Sequence, residues 1–377
     1  MCRKPIRILH CVNKMDRAGL ETMIMNYYRN IDREKVQFDF LTHRIEDGDY
    51  DDEIKKMGGK IYHAPRLMPH NYTKYCRYMK KLFAENPEYK IVHSHIDTMS
   101  FFPLREAKKN NILIRISHSH SSKLDFDFKL PIKYYAKTQI NKVNNVKFSC
   151  GDKASKFLYG STKDVYLVNN AIDLEKFSFN SNVREKIRQQ LNIPSDAVVI
   201  GHVGRYIYIK NQTFLIDILN EIVKKNKNYY LVLIGAGNDE KMLKEKVCKL
   251  NLEKNVIFVG SRNDVNKYYN IFDIFVMPSL FEGLPLVGVE AQANGMPTLF
   301  SDTISNEIIM TPNSQMISLE KKINDWVNII IEIPLKRQSE NINLLREKGY
   351  DIKYESKKLQ DKYYSLLIEK GECKNEK

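Results

Sequence analysis

The sequence predicts an α/β protein of two units, each a parallel sheet covered by helices. Short apolar runs alternate with amphipathic segments along most of the chain, as in buried parallel strands joined by surface helices. With 377 residues, the chain is longer than one hydrophobic core normally serves. The alternation pauses between residues 173 and 195 and then restarts, which favours two units over one.

The predicted strands are the short runs rich in Ile, Val and Leu. They are residues 6–12, 36–42, 60–63, 90–95, 113–118, 146–150 and 165–168, then 198–203, 230–234, 256–259, 274–278 and 298–301. The predicted helices are 20–30, 72–85, 212–225, 240–250 and 286–293, with a solvated helix at 183–190. After Ser301 the pattern predicts helices only. We therefore expect a first unit at 1–175, a second at 176–350, and a C-terminal helix at 351–377 that packs back on the first.

Composition narrows the class of protein. No run approaches the roughly 18–20 apolar residues of a membrane span, and the first apolar run is predicted to be a strand rather than a signal peptide. The six cysteines form no C-x-x-C pair, which argues against a zinc site and a disulfide framework. We expect a cytoplasmic protein.

The formal net charge of +14 indicates an anionic partner. Nucleic acid, anionic lipid headgroups and a diphosphate substrate all carry suitable charge. The sequence contains no recognised nucleic-acid-binding module, so nucleic acid is not expected. Charge alone does not choose between the lipid surface and the diphosphate.

The most informative segment joins the predicted strand 274–278 to the helix 286–293. It contains Glu282 and Gly283, and Pro285 is predicted at the first helical position, where proline is favoured. The free N–H groups and positive dipole end of such a helix make a phosphate site. Ligands of open α/β sheets bind outside the carboxyl ends of the strands, where this turn is predicted to lie.

Two carboxylates flank the turn. Glu282 precedes the helix and is predicted to face a bound sugar, whereas Glu290 lies deeper along the helix, at a place that suits the hydroxyls of a ribose. A glycosidase acid–base pair is disfavoured, because such carboxyls flank one bond and usually come from separate elements. By themselves, the two residues also fit an ordinary loop glutamate and an ordinary helix glutamate.

A second element lies earlier in the same half. The strand 198–203 is followed by Gly204 and Arg205, and Lys210 precedes the helix 212–225. Arg205 offers a planar fork for phosphate oxygens and Lys210 a point charge. Together they would stabilise the negative charge of a departing nucleoside diphosphate.

These two elements resemble those of the family-4 (group 1) glycosyltransferases of the GT-B fold, particularly the enzymes of bacterial capsular and exopolysaccharide synthesis. Residues 282–290 match the family's E-x(7)-E signature, and residues 204–210 match its G-R-x(4)-K diphosphate element. Two weaker matches depart from the family at one glycine each. Residues 170–173 resemble N-G-[IV]-D with Ala171 in place of glycine, and residues 18–21 resemble G-G-x-E with Ala18 in place of glycine.

The resemblance implies two Rossmann-like α/β/α domains that face each other across a cleft. It implies retaining transfer of a sugar from a nucleoside diphosphate sugar, expected to be a UDP-sugar, to a hydroxyl of a glycan or lipid-linked acceptor, with no metal or other cofactor. Glu282 would contact the sugar, Glu290 the ribose, Arg205 and Lys210 the diphosphate, and Arg262 the region of the base. The implied donor-binding residues are Gly19, Arg205, Lys210, Arg262, Glu282, Gly283, Leu284, Pro285, Leu286 and Glu290.

Two H-x-H pairs end consecutive predicted strands of the first half, His93 with His95 and His118 with His120. Alternation along a strand places each pair on one face. A metal site is disfavoured because no third ligand is evident, and structural histidines at strand ends remain an alternative. The resemblance favours His118, at the end of a predicted strand, as the catalytic histidine. His95, His120 and Asn170 are the further candidates for the acceptor or the cleft.

No residue is a clear covalent nucleophile. The resemblance therefore implies a front-face substitution in which the leaving diphosphate helps to deprotonate the acceptor hydroxyl, while His118 orients the sugar or stabilises an oxocarbenium-like transition state. Two D-x-D sequences, 47–49 and 125–127, do not directly end a predicted strand, in agreement with a metal-free mechanism.

Other functions and partners stay open on the sequence. Hydride transfer is disfavoured because residues 235–240 break the G-x-G-x-x-G pattern. A nucleotide-sugar epimerase of similar architecture and a non-catalytic sugar-nucleotide-binding partner are alternatives. The basic, aromatic stretches 66–81, with Tyr72, Tyr75 and Tyr78, and 129–142 fit an anionic membrane surface as well as they fit ordinary solvated helices.

Overall fold

The computed structural model describes residues 5–121, 123–124 and 129–372. The chain forms two compact units, divided after Ala171 and again after Asp351, so that the residues from Ile352 onward belong to the first unit. Each unit is built on one parallel sheet. The prediction of two Rossmann-like α/β units is confirmed.

In the described part of the first unit, seven parallel strands follow the order β3-β2-β1-β4-β5-β6-β7. They are β1 (Ile6–Val12), β2 (Val36–Thr42), β3 (Ile61–His63), β4 (Ile91–Ser94), β5 (Ile114–Ser119), β6 (Val146–Ser149) and β7 (Val165–Leu167). The helices between them are α1 (Gly19–Asn30), α2 (Asp51–Lys56), α3 (Tyr72–Glu85), α4 (Phe101–Lys109), α5 (Leu130–Gln139) and α6 (Asp152–Tyr159). β2 and β4 are buried along their whole length, including the polar side chains of Gln37, Asp39 and His93.

The second unit has six parallel strands among the described residues, in the order β10-β9-β8-β11-β12-β13. They are β8 (Val198–Val203), β9 (Tyr229–Ile234), β10 (Val256–Gly260), β11 (Ile274–Met277), β12 (Thr298–Ser301) and β13 (Ser314–Ile317). Its helices are α7 (Leu174–Phe177), α8 (Ser181–Gln190), α9 (Gln212–Lys225), α10 (Glu240–Lys249), α11 (Val265–Tyr268), α12 (Leu286–Ala293), α13 (Ile323–Glu332) and α14 (Asn341–Glu347). Trp326, wholly buried, anchors α13 in the core of this unit.

The last helix, α15 (Ile352–Ile368), packs against α1. Ser356 Oγ lies 3.3 Å from the carbonyl oxygen of Asn30, to which it donates. Tyr363, farther along α15, is fully buried in the first unit. No described helix combines the length and apolar content needed to cross a membrane.

Two sequence predictions are wrong in the second unit. β13 pairs in parallel with β12, although only helices were predicted after Ser301. The strand escaped prediction because it is four residues long and its first two residues, Ser314 and Gln315, are polar. α8 is more than a solvated helix, since it buries Ile187 and Arg188. The Arg188 guanidinium forms a 2.6 Å ion pair with Asp273, which ties α8 to the strand β11 that follows.

Candidate donor-binding site

The loop between β11 and α12 carries the E-x(7)-E signature at the carboxyl end of the second sheet. β11 ends at Met277, and α12 begins at Leu286. Pro285 is the N-cap, with an extended ψ of 125°, so the prediction that it occupies the first helical position is wrong by one residue. Glu282 forms a parallel bridge with Ile304, which anchors the loop beside the end of β12.

Lys210 lies in a short 3-10 turn that contacts this loop. The backbone N–H of Leu280 donates to the carbonyl oxygen of Ile209 at 2.8 Å. The Lys210 ammonium forms an ion pair with the Glu282 carboxylate, and the two side chains are only 15% and 19% exposed. The structure thus brings the G-R-x(4)-K and E-x(7)-E elements together in one site.

Close backbone packing shapes the turn after β8. The φ of Gly235 is +147°, and a Cβ on this residue would lie 2.0 Å from the carbonyl oxygen of Gly204. Glycine is therefore required at position 235, where the ends of β8 and β9 meet. Arg205 follows this turn with an exposed side chain, and its carbonyl oxygen accepts a 2.8 Å hydrogen bond from Gln212 Nε2. The backbone of Arg205 is held while the guanidinium faces solvent.

Glu290 is buried inside the second unit, with 7% of its surface exposed. Tyr269 donates its hydroxyl to Glu290 Oε2 at 2.7 Å. Burial raises the pKa of Glu290 to about 7, partly offset by the Tyr269 hydrogen bond and the positive charge of Lys176. Tyr269 had no sequence signal to separate it from the other buried tyrosines, since it contacts Glu290 only through the tertiary fold.

Replacement of Glu290 by glutamine is expected to stabilise the chain at alkaline pH. A carboxyl with a pKa of about 7 in the folded chain and 4.5 in the unfolded chain favours folding below pH 4.5, and this contribution is lost as the pH rises through 7. The loss amounts to about 3 kcal/mol. Urea unfolding should show Glu290→Gln gaining roughly that much over the parent at pH 8, with less than 1 kcal/mol at pH 5. The exposed Glu347→Gln is the control, and an equal gain at both pH values would contradict the assignment.

The remaining predicted donor residues of the second unit lie along the same sheet edge. Arg262 follows β10, where its Nε donates to Asp264 Oδ1 at 2.9 Å and its guanidinium stacks 5.2 Å from the Tyr268 ring. Leu284 and Leu286 each expose only 7% of their surface. A ligand could therefore reach their backbone groups but little of their side chains. The ends of β8, β10 and β11 therefore place cationic and acidic groups on one edge.

In the first unit, the two departures from the family's glycines cause no backbone strain. Gly19 begins α1 and is exposed, and nothing lies within 4 Å of a Cβ built on it. Ala18 caps that helix with an ordinary φ of −124°. Ala171 is fully buried and does not adopt a positive φ, and its neighbour Asn170 is half-buried.

His118 does not lie at the end of its strand. The strand β5 continues to Ser119, so His118 lies inside the strand and is 0% exposed. Its Nδ1 lies 3.1 Å from His93 Nε2 within the first unit. His118 is therefore buried one residue before the strand end, and its contact with a donor stays a prediction. The first residue after β5 is His120, which is partly exposed.

Five histidines, on β1, β4 and β5 or directly after them, form two hydrogen-bonded rows. In the first, His10 Nδ1 lies 2.9 Å from His95 Nε2, and His95 Nδ1 lies 3.0 Å from His120 Nε2. In the second, His93 connects His118 to the hydroxyl of Tyr363 on α15, at 3.1 and 2.7 Å. His10 was not predicted as a member, although it lies directly opposite His93 in the sheet.

The histidine rows correct the expectation that no third imidazole lies near the H-x-H pairs. Two sets of three histidines, one with His10, His93 and His95 and one with His95, His118 and His120, have ring nitrogens within 4.8 Å of one another. The His10–His95 separation of 2.9 Å is that of a hydrogen bond, shorter than the about 3.3 Å between two ligands of tetrahedral zinc. Burial lowers the pKa of all five rings, so they are neutral and can act as donor and acceptor in turn.

His120 is the member of the first row that reaches the carboxyl edge of the sheet. Its backbone N–H donates to Asp97 Oδ1 at 2.7 Å, and the hydroxyl of Ser121 donates to Asp97 Oδ2 at 3.0 Å. These contacts hold the start of the loop after β5. Of the two D-x-D sequences, 47–49 lies in the loop after β2 and does not directly follow the strand, whereas 125–127 lies outside the described residues.

Comparisons with known proteins agree with these elements. A family model described as "Glycosyl transferases group 1" matches residues 183–349, which carry both donor elements. EpsF of Bacillus subtilis (strain 168), which bears the name of a glycosyltransferase, is 34% identical over 336 residues that span 86% of each chain. The capsular polysaccharide biosynthesis glycosyltransferase CapH of Staphylococcus aureus is 26% identical over 384 residues, covering 96% of this chain and 100% of CapH.

Solved structures show the same fold. The crystal structure of Anabaena HepE in complex with UDP gives a TM-score of 0.79 at 16% identity, covering 95% of this chain and 100% of HepE. WaaG, a glycosyltransferase involved in lipopolysaccharide biosynthesis, gives a TM-score of 0.71 at 15% identity, covering 94% of this chain and 98% of WaaG. Together with the identity to EpsF over most of both chains, the fold and the two donor elements establish that this chain belongs to the group 1 glycosyltransferases.

Proposed function

We propose that this chain transfers a sugar from a nucleoside diphosphate sugar, with UDP as the nucleotide, to a hydroxyl of a glycan or lipid-linked acceptor in polysaccharide biosynthesis. The proposal rests on the ion pair between the Lys210 ammonium and the carboxylate of Glu282, which lies in the loop before α12. An ammonium beside a helix N-terminus suits a diphosphate, and a carboxylate suits sugar hydroxyls. The name of CapH and the UDP bound to HepE support the acceptor class and the nucleotide.

Transfer would proceed with retention and without a metal ion. Arg205, Lys210 and the N–H groups at the start of α12 would carry the negative charge that grows on the leaving diphosphate, the role a metal plays elsewhere. The bond from the anomeric carbon to the phosphate oxygen breaks while the acceptor oxygen bonds to the same face. The acceptor proton passes to the departing diphosphate, so no protein nucleophile is needed. We assign His120, in place of His118, to a hydrogen bond with the reacting sugar.

A donor screen in the presence of a chelator tests this proposal. The purified chain is incubated with a panel of UDP-, GDP- and dTDP-sugars, and NMR follows nucleotide release and the anomeric configuration of the product. We expect slow hydrolysis or transfer from one donor class, with the anomeric configuration retained and no metal requirement. Conversion of the sugar to its epimer would contradict transfer and support an epimerase. Binding without turnover on a panel of acceptors would support a non-catalytic partner.

An anionic membrane surface is the second proposed partner, and α5 is the element we assign to it. Tyr134 and Tyr135 are 58% and 55% exposed, on a helix that also carries Lys133 and Lys137. The other predicted stretch, 66–81, fits less well, because Tyr75 is fully buried. Sedimentation with anionic vesicles at low salt should retain the chain, and the double change Tyr134→Ser, Tyr135→Ser should weaken that retention. Equal retention by neutral vesicles would count against the proposal.

A further inference from the structure

Two carboxylates and one imidazole converge at the carboxyl ends of β2 and β3 in the first unit. Asp47 lies in the segment between β2 and α2, Asp51 is the first residue of α2, and His63 is the last residue of β3. The register of the sheet places His63 opposite Thr42, where that segment begins. One oxygen of each carboxylate and one ring nitrogen of His63 lie within 4.8 Å of one another.

Asp51 is the inner member of this group, with 2% of its surface exposed. Neither of its carboxylate oxygens forms a hydrogen bond of ordinary geometry with the described residues. Burial raises the pKa of Asp51, and the nearby Asp47 adds to the rise, while a distorted backbone hydrogen bond at Gly48, His63 and Lys55 oppose it. A buried carboxylate without a well-formed hydrogen bond is stabilised either by taking up a proton or by binding a cation.

Hydrogen bonds hold the His63 ring and fix its tautomer. Its Nδ1 lies 3.0 Å from the carbonyl oxygen of Arg44 and 2.9 Å from Thr42 Oγ1. Because a carbonyl oxygen only accepts, Nδ1 carries the hydrogen and donates to Arg44, which leaves the lone pair on Nε2. A ring N–H donated to a backbone carbonyl is the usual support of a metal-binding imidazole.

The group is also accessible from solvent through its outer member. Asp47 is exposed, whereas Asp51 is buried and His63 is half-buried. Ligand atoms of one tetrahedral ion are about 3.3–3.5 Å apart, so the observed separations of up to 4.8 Å require a modest closure. Asp47, as the exposed member, is the ligand with the most freedom to move.

We propose that Asp47, Asp51 and His63 bind a divalent ion of the zinc class, with water at the remaining positions. Carboxylate with imidazole suits Zn²⁺, and Mn²⁺ as a harder competitor, better than Ca²⁺ or Mg²⁺, which take oxygen ligands only. The ion would tie the segment after β2 to the end of β3. This site lies outside the donor-binding residues of the second unit and does not depend on the proposed transfer.

Metal binding to the full-length chain without a polyhistidine tag tests this assignment. After dialysis against a chelator, equilibrium dialysis and thermal unfolding are measured with Zn²⁺, Mn²⁺ or Ca²⁺ alone. We expect one equivalent of Zn²⁺ to bind and to raise Tm, with a weaker effect of Mn²⁺ and none of Ca²⁺. His63→Gln should weaken Zn²⁺ binding at least tenfold. The exposed residues nearby give matched controls, His70→Gln and Asp52→Asn, which should bind as the parent does.

Asp51→Asn gives a signature that a merely structural role would not produce. In chelator this variant should be at least as stable as the parent, because it removes a buried charge that lacks a well-formed hydrogen bond, yet it should gain nothing from Zn²⁺. If Asp51→Asn does not fold, Asp47→Asn at the exposed position takes its place and should weaken binding. Undiminished Zn²⁺ binding in His63→Gln, equal loss in His70→Gln, or no binding by the parent would overturn the proposal.

Discussion

Lys210→Ala is expected to lower kcat/KM for the sugar donor by about 10²–10³-fold, the usual cost of removing one group that stabilises a developing anion. In the structure, Lys210 contacts the loop before α12 and pairs with Glu282, so its ammonium lies where the helix N-terminus would meet a diphosphate. Charge builds up on the diphosphate as the glycosidic bond breaks, so the loss should fall on kcat as well as KM. Initial rates over a range of donor concentrations measure both.

The matched control for Lys210 is Lys254→Ala, an exposed lysine of the same unit that should leave the rates unchanged. Glu282→Gln should cost about 10–100-fold, since it weakens a hydrogen bond from a sugar hydroxyl to a charged acceptor. Because the two side chains contact each other, the double variant should lose less than the sum of the two single losses. Strictly additive losses would mean that the pair does not act as one site.

His120→Ala is expected to lower kcat by about 10²-fold. The free energy of unfolding should fall by no more than about 1 kcal/mol, because the bond lost from His95 lies at a half-exposed residue where water can replace it. His118→Ala should instead act mainly on stability and lower the free energy of unfolding by about 2–3 kcal/mol. The reason is burial: His118 is 0% exposed and fills space beside His93, whereas His120 lies partly exposed at the strand end. Removing His118 leaves a cavity and an unpaired nitrogen on His93.

Urea unfolding and single-turnover kinetics on the two variants separate these outcomes. Each histidine serves as the control for the other. His118 lies within β5 and His120 directly after it, so the two differ mainly in exposure. A large fall in kcat with unchanged stability for His118→Ala, and a small fall for His120→Ala, would restore the original assignment to His118. Loss of stability in both would indicate that the whole histidine network is structural.

Most strands of the two sheets could be predicted because buried parallel strands are short segments rich in apolar residues. β1, β2, β8 and β12 have the predicted bounds, and so have α3, α9 and α12. β13 escaped prediction because its four residues, Ser-Gln-Met-Ile, carry no such run. β5 ends at Ser119, one residue beyond its predicted end, because polar Ser and His residues continue a strand that is buried there.

By itself, the sequence determined the two α/β units, the turn before α12 and the residue types that a donor site requires, because these features depend on local periodicity and on motifs within a few residues. Only the tertiary structure decided which of those residues meet. The pairing of Lys210 with Glu282, the hydrogen bond from Tyr269 to Glu290 and the rows of histidines join residues far apart in the chain. Such contacts depend on strand order and register, and burial then decides which side chains can reach a ligand.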